Sequence, residues 1–192
     1  MTKLNELLLT NKTVFTLDDL SVIWGQSKRS NTSQSAKEYA RAGELIRLRR
    51  GLYALPKTAP APTVVAGKLV TPSYMTGEIV LKKYGLTYQI DNRVTSAALV
   101  SRKIELDGTV YVYYKFHENI FFNPRGVGDE GGVTMATRER AIADLVYLHG
   151  DHYPFEDLSG VDWPELMEIG KIYEKKSVVE NIIKMEKRYA ER

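Results

Sequence analysis

One stretch constrains this chain more than any other: Leu45-Ile46-Arg47-Leu48-Arg49-Arg50-Gly51-Leu52-Tyr53-Ala54-Leu55. Two short apolar runs flank a glycine, the residue that supplies the positive φ a tight hairpin needs. The segment therefore reads as a two-stranded ribbon with Arg49 and Arg50 at its tip. Three helices are predicted ahead of it. Leu4, Leu7 and Leu8 stand at helical spacing before Asn11-Lys12 closes the segment. Thr16 caps a second helix, with Asp18 and Asp19 near the positive end of its dipole and Leu17, Leu20, Ile23 and Trp24 as an inward stripe that ends at Gly25. A third helix is expected over 30–42, capped from among Ser30, Asn31 and Thr32 and stopped by Gly43.

The third helix has two unlike faces. Ala36, Tyr39 and Ala40 form a small apolar side, while Ser30, Gln34, Lys37 and Arg41 fall at i, i+4, i+7 and i+11 as a polar, net basic stripe. Three helices followed by a basic-tipped ribbon is the element order of a winged helix-turn-helix. Candidate DNA contacts are Lys28, Arg29, Ser30, Ser33, Gln34, Lys37 and Arg41 along the third helix, and Arg47, Arg49 and Arg50 on the wing. The helix side chains carry donors for base edges or phosphates, and the wing arginines reach backbone or minor groove.

Charge supports that reading. Residues 1–57 hold ten lysines and arginines against five acids, a net of +5, which leaves the rest of the chain at −2 within a total of +3. A small segment with its cations clustered over 28–50 has the electrostatic footprint of a polyanion binder, although a solvated basic face is the bland alternative.

The Pro-rich stretch 56–62 interrupts both helix and strand, so the chain divides into a winged helix-turn-helix over 1–57, a linker over 58–62 and an α+β domain over 63–192. In the second domain helices are expected at 64–69 and 75–84, and strands at 93–100 and 109–117. Short strands are added at 119–122 and 133–135, and helices at 136–148, 163–173 and 177–192. The fold class expected is α+β, its second domain built on a small, mainly antiparallel sheet.

Composition removes several function classes. There are no cysteines, which excludes disulfides, thiolate metal sites and cysteine nucleophiles and suits a reducing compartment, with the cytoplasm as the default. Apolar runs are far shorter than a membrane span, so no membrane partner is expected. His149-Gly150-Asp151-His152 follows a helix end and lacks zinc-protease spacing, so it reads as a cap rather than a metal site. The glycine-rich run 126–132 carries Asp129 and Glu130, which repel phosphate, and reads as a hairpin loop. Tyr88, Tyr111, Tyr113 and Tyr114 could stack bases, but alternating aromatics in a strand are usually half core and half surface. Glu139 and Asp144 fall in a helix that Thr137 caps, with Arg138 and Arg140 expected to point outward and Asp144 to pair with a cation. The last helix carries Val178, Val179, Ile182, Ile183 and Tyr189 on one face, for burial on its own domain or for a partner. Catalysis, a cofactor and a metal are not expected.

Four blocks taken in order resemble a known family. They are Phe15-Thr16-Leu17-Asp18-Asp19-Leu20, then the ribbon segment 45–55, then Thr71-Pro72-Ser73-Tyr74 with Tyr84-Gly85-Leu86, and finally Thr137-Arg138-Glu139-Arg140-Ala141-Ile142-Ala143-Asp144-Leu145. Together they look like the AbiEi-type antitoxins of type IV toxin–antitoxin systems. That resemblance implies an N-terminal winged helix that represses its own operon by binding inverted repeats in double-stranded DNA, where a homodimer would meet the repeat. It also implies a C-terminal domain that counters a nucleotidyltransferase-like toxin in phage defence, with the cognate toxin as a partner. Two rival readings stay open: a protein-binding module that captures a toxin or other partner without reading DNA, and an enzyme built from Glu118, Glu139, Asp144 or the histidines His117, His149 and His152.

Overall fold

The computed structural model describes residues 2–56, 59–87 and 92–190. The chain is mixed α+β and divides into two compact units, Met1–Leu69 and Val70–Arg192.

The first unit runs α1 (Lys3–Leu8), β1 (Val14–Thr16), α2 (Leu17–Ile23), α3 (Arg29–Arg41), β2 (Ile46–Arg49), β3 (Leu52–Ala54) and α4 (Pro62–Leu69). Its sheet has the order β1-β3-β2, and both pairings are antiparallel. Phe15 and Arg47 both face Tyr53 across the ladders, and the register shifts between Arg47 and Arg49. Leu7, Phe15, Leu20, Trp24, Ala36 and Tyr53 form the core, with Tyr39 and Ala40 packed against it as the third helix's apolar side requires. The Trp24 indole N–H donates to the Lys3 carbonyl at 3.1 Å, so the ring binds α1 as well as filling space. Thr16 caps α2 in a reciprocal box with Asp19: each backbone N–H bonds the other's side chain, at 2.9 and 3.1 Å. Gly25, at φ 60°, turns the chain from α2 toward α3.

Three details differ from the sequence reading. β1 replaces what was expected to be only the approach to the second helix, because β3 needs a partner on its second side; the Leu55 N–H extends the pairing to the Thr13 carbonyl at 3.1 Å. The third helix begins at Arg29 behind an N-cap Lys28 that makes no side-chain cap bond, so Ser30, Asn31 and Thr32 lie within its first turn. The boundary falls after Leu69 rather than at 57–63, since α4 groups with the first unit. Lys57 and Thr58, where the linker was expected to begin, lie outside the described residues.

The second unit runs β4 (Ser73–Met75), α5 (Glu78–Lys83), β5 (Arg93–Ala98), β6 (Arg102–Leu106), β7 (Thr109–Lys115), α6 (Glu118–Phe121), β8 (Val127–Glu130), β9 (Val133–Ala136), α7 (Arg138–His149), α8 (Trp163–Lys171) and α9 (Lys176–Ala190). The sheet is six-stranded and mixed, in the order β6-β7-β5-β4-β9-β8. β5 pairs β7 in parallel and β4 pairs β9 in parallel, while the remaining pairings are antiparallel. The sheet is larger than expected and mixed, with three of its five pairings antiparallel: the glycine-rich run forms the β8–β9 hairpin, and Arg102–Leu106 adds an edge strand. Ser73–Met75 forms a central strand where the sequence reading placed only a helix from 75 onward. The expected strand at 119–122 is helical, because His117 offers its carbonyl to the N–H groups of Ile120 and Phe121. In β7, Tyr111 and Tyr113 are buried while Tyr114 is half-buried, the alternation a one-sided core dictates. Tyr88 lies outside the described residues. Val178, Ile182 and Met185 bury one face of α9, Val179 and Tyr189 are half-buried, and Ile183 is exposed.

Candidate nucleic-acid interface

The cations of α3 and of the β2–β3 hairpin are exposed, and several of them gather around two depressions of the first unit. Lys28, Arg29, Ser30, Gln34, Lys37, Arg41, Arg47, Arg49 and Arg50 are exposed, and Ser33 is half-buried. A depression of about 810 Å3 gathers Arg29, Ser30, Ser33 and Lys37 from the helix and Arg47, Arg50, Gly51 and Tyr53 from the ribbon, with Leu17 at its edge. A second, of about 390 Å3, is lined by Lys37, Ala40, Arg41 and Arg47. Lys37 and Arg47 border both. Lys28, Gln34 and Arg49 belong to neither lining.

The hairpin geometry explains the grouping. Gly51, at φ 81°, closes the turn after Arg49 and Arg50. Within the ribbon Leu52 and Tyr53 are buried while Arg47 and Arg49 are exposed, so β3 supplies the anchor and β2 the charge. In α3 the buried Thr32 and Ala36 fix which way the helix faces, and that leaves the Ser30-Gln34-Lys37-Arg41 stripe outward.

Two acids on this surface were not foreseen. Asp18, on the first turn of α2, pairs with Arg29, and Glu38 accepts a hydrogen bond from Gln34 Nε2 at 2.7 Å. The second contact is legible in principle, since residues four apart on a helix are neighbours; the first depends on the turn between α2 and α3. Lys28, Lys37, Arg41, Arg47, Arg49 and Arg50 make no ion pair among the described residues. No carboxylate would have to be displaced for these cations to take an anionic ligand. The Arg29–Asp18 pair, both members well exposed, is a weak obstacle.

A second constellation lies in the other unit and concerns α7. Thr137 caps this helix through the Arg140 N–H at 3.2 Å, as expected. Arg140 does not point outward: its side chain is fully buried, and all of its guanidinium nitrogens are bonded. Nε donates to Asp144 at 3.3 Å, Nη1 to the carbonyl of Arg125 at 3.0 Å and, more weakly, to that of Asn123, and Nη2 to the Ile120 carbonyl at 2.7 Å and Tyr74 at 3.1 Å. Asp144 in turn accepts from Thr76 at 2.6 Å, from Tyr74 at 3.1 Å and from Tyr173. Burial raises the Asp144 carboxyl above its ordinary value against the pull of Arg140 and the hydroxyls. Burial also raises Tyr74 and Tyr173 well above theirs, so both phenols remain donors. A closed network whose every donor and acceptor is engaged ties β4, α6, α7 and the residues after α8 together.

The remaining candidates are dispersed. Glu139 is buried and bonds Arg138 at 2.7 Å and the Asp162 N–H at 3.3 Å, while Glu118 is exposed on α6. His149 packs its ring against Tyr114 and Tyr153, and His117 and His152 are exposed. Among the described residues no group of three or more histidine, aspartate or glutamate side chains could hold a metal, and no helix is long and apolar enough to cross a membrane.

Compared with known proteins, the chain matches no family model and no curated relative.

Proposed function

We propose that residues 1–69 form a winged helix-turn-helix that binds double-stranded DNA, with α3 in the major groove and the β2–β3 hairpin as the wing. The observation that carries this reading is the concave cationic surface shared by α3 and the hairpin, where Lys37, Arg47 and Arg50 converge without carboxylate partners. A 13-residue helix with one buried and one basic face suits a groove about 12 Å wide. The four sequence blocks extend the proposal: the protein is a repressor of its own operon and the antitoxin of a type IV toxin–antitoxin system, and Val70–Arg192 counters the toxin.

The test is fluorescence-anisotropy binding to the DNA upstream of the protein's own gene, with a scrambled duplex as competitor, across a salt series. Specific binding that survives physiological salt and disappears in an Arg47→Ala/Arg50→Ala double variant supports the reading. Equal binding to both duplexes, or none, overturns autonomous sequence recognition and favours a module that binds a protein partner.

A further inference from the structure

We propose that Glu38 sets the base preference of α3 by holding Gln34 in the one amide orientation that matches adenine. This inference rests on the reading of α3 as the groove-facing helix. Gln34 Nε2 donates to Glu38 Oε1 at 2.7 Å, across one turn of the exposed face. A free glutamine amide presents either end, because half a turn of its last torsion exchanges the carbonyl and the NH2 group. A carboxylate only accepts, so the amide nitrogen must face Glu38 and Oε1 must face away. One amide proton is then occupied, and an acceptor beside a single remaining donor is left to the groove. That pair is the complement of the adenine edge, which shows N7 as acceptor beside the N6 amino donor.

The position of Gln34 agrees with a base-reading role. Gln34 lines neither of the cationic depressions, where the groups suited to phosphate are gathered. Glu38 repels phosphate and lowers affinity for every duplex alike. Its carboxylate contributes selectivity through Gln34, and the two effects separate because one is read on every duplex and the other at a single position.

The experiment is enrichment of bound duplexes from a randomised library by the full-length protein, followed by anisotropy titration of the enriched duplex and its single-base variants. Wild type is compared with Gln34→Ala, Glu38→Ala and Glu38→Gln. The wild-type motif is expected to contain one adenine preferred about tenfold or more over other bases, a preference that Gln34→Ala abolishes at that position alone. Glu38→Ala should reduce the same preference at least about threefold while binding all duplexes more tightly. Glu38→Gln, which loses the charge and whose amide donates as well as accepts, should gain the same general affinity and keep the preference only in part. An unchanged adenine preference in Glu38→Ala overturns the proposal, as does a Gln34-dependent base other than adenine. Loss of a cytosine preference in Glu38→Gln, at a position Gln34→Ala leaves intact, also overturns it by making Glu38 itself the reader. If wild type enriches no motif, the groove-facing reading of α3 fails with it.

Discussion

The Lys68 ammonium donates to both carboxylate oxygens of Asp19, at 3.1 and 2.9 Å, so the residue that closes the capping box of α2 also holds α4. One side chain thereby satisfies a helix terminus and ties the last helix of the first unit to the element that leads into α3. Asp19→Ala removes both roles and is expected to destabilise this unit by about 1–2 kcal/mol, the range of a lost cap. Lys68→Ala removes only the ion pair, leaves the cap intact and should cost less. Urea unfolding of the full chain, followed by Trp24 fluorescence in a Trp163→Phe background, reads the difference.

The same carboxylate makes the first unit sensitive to acid. Burial pushes the Asp19 carboxyl up, but the Thr16 N–H, Lys68 and the Thr16 hydroxyl outweigh it and hold the group below its ordinary value. The unfolded chain therefore binds this proton more readily than the folded one. Its contribution is complete above the ordinary carboxylate value of about 4 and is lost as pH falls through the depressed folded value. Stability measured from pH 6 downward should decline more steeply in wild type than in Asp19→Asn, and parallel curves would contradict this assignment.

Removing the guanidinium from the second unit should be far more damaging. Arg140→Ala strands the Asp144 carboxylate together with the carbonyls of Ile120 and Arg125, at an expected cost of about 3–5 kcal/mol. Asp144→Asn keeps the side-chain shape but leaves the buried cation uncompensated, so it should also destabilise. Thermal unfolding by circular dichroism distinguishes this from a surface pair, whose loss would hardly move the transition.

Salt dependence of DNA binding separates the cations by role. Each of Arg47→Ala and Arg50→Ala should weaken binding similarly on all sequences and reduce the slope of log K against log salt by about one. Arg49 lies outside both depressions, and its replacement should change the slope less. Anisotropy at several salt concentrations gives the slopes directly; loss of sequence discrimination at constant slope would assign Arg47 and Arg50 to bases instead.

The helices whose caps and periodicity agree were legible in the sequence. Thr16 and Thr137 cap where expected, and Ala36, Tyr39 and Ala40 give the inward side of α3. Strands of the mixed sheet were harder to read, for separate reasons. Ser73–Met75 is too short for alternation to show, and Arg102–Leu106 is an edge strand whose charges mask its pattern. Asn119–Phe122 is an apolar run too brief to distinguish strand from helix. Arg140 was misread because a charged residue on a helix is normally exposed; its partners come from β4, α6 and the residues before β8, and only the tertiary fold brings them together. On the candidate interface, the basic residues follow from helical spacing and turn chemistry. The convergence of Lys37 with Arg47 follows only from the register that sets Arg47 opposite Tyr53 on the hairpin.

β4 lies between β5 and β9, and its partner residue Met135 is synthesised long after Met75. The sheet of the second unit therefore stays open while the ribosome is still making the β8–β9 hairpin, and its central strand waits with one unpaired edge. The first compact unit ends at Leu69. Translation thus delivers the cationic surface first, and the nascent chain carries an exposed strand edge until the region of Ala136 emerges.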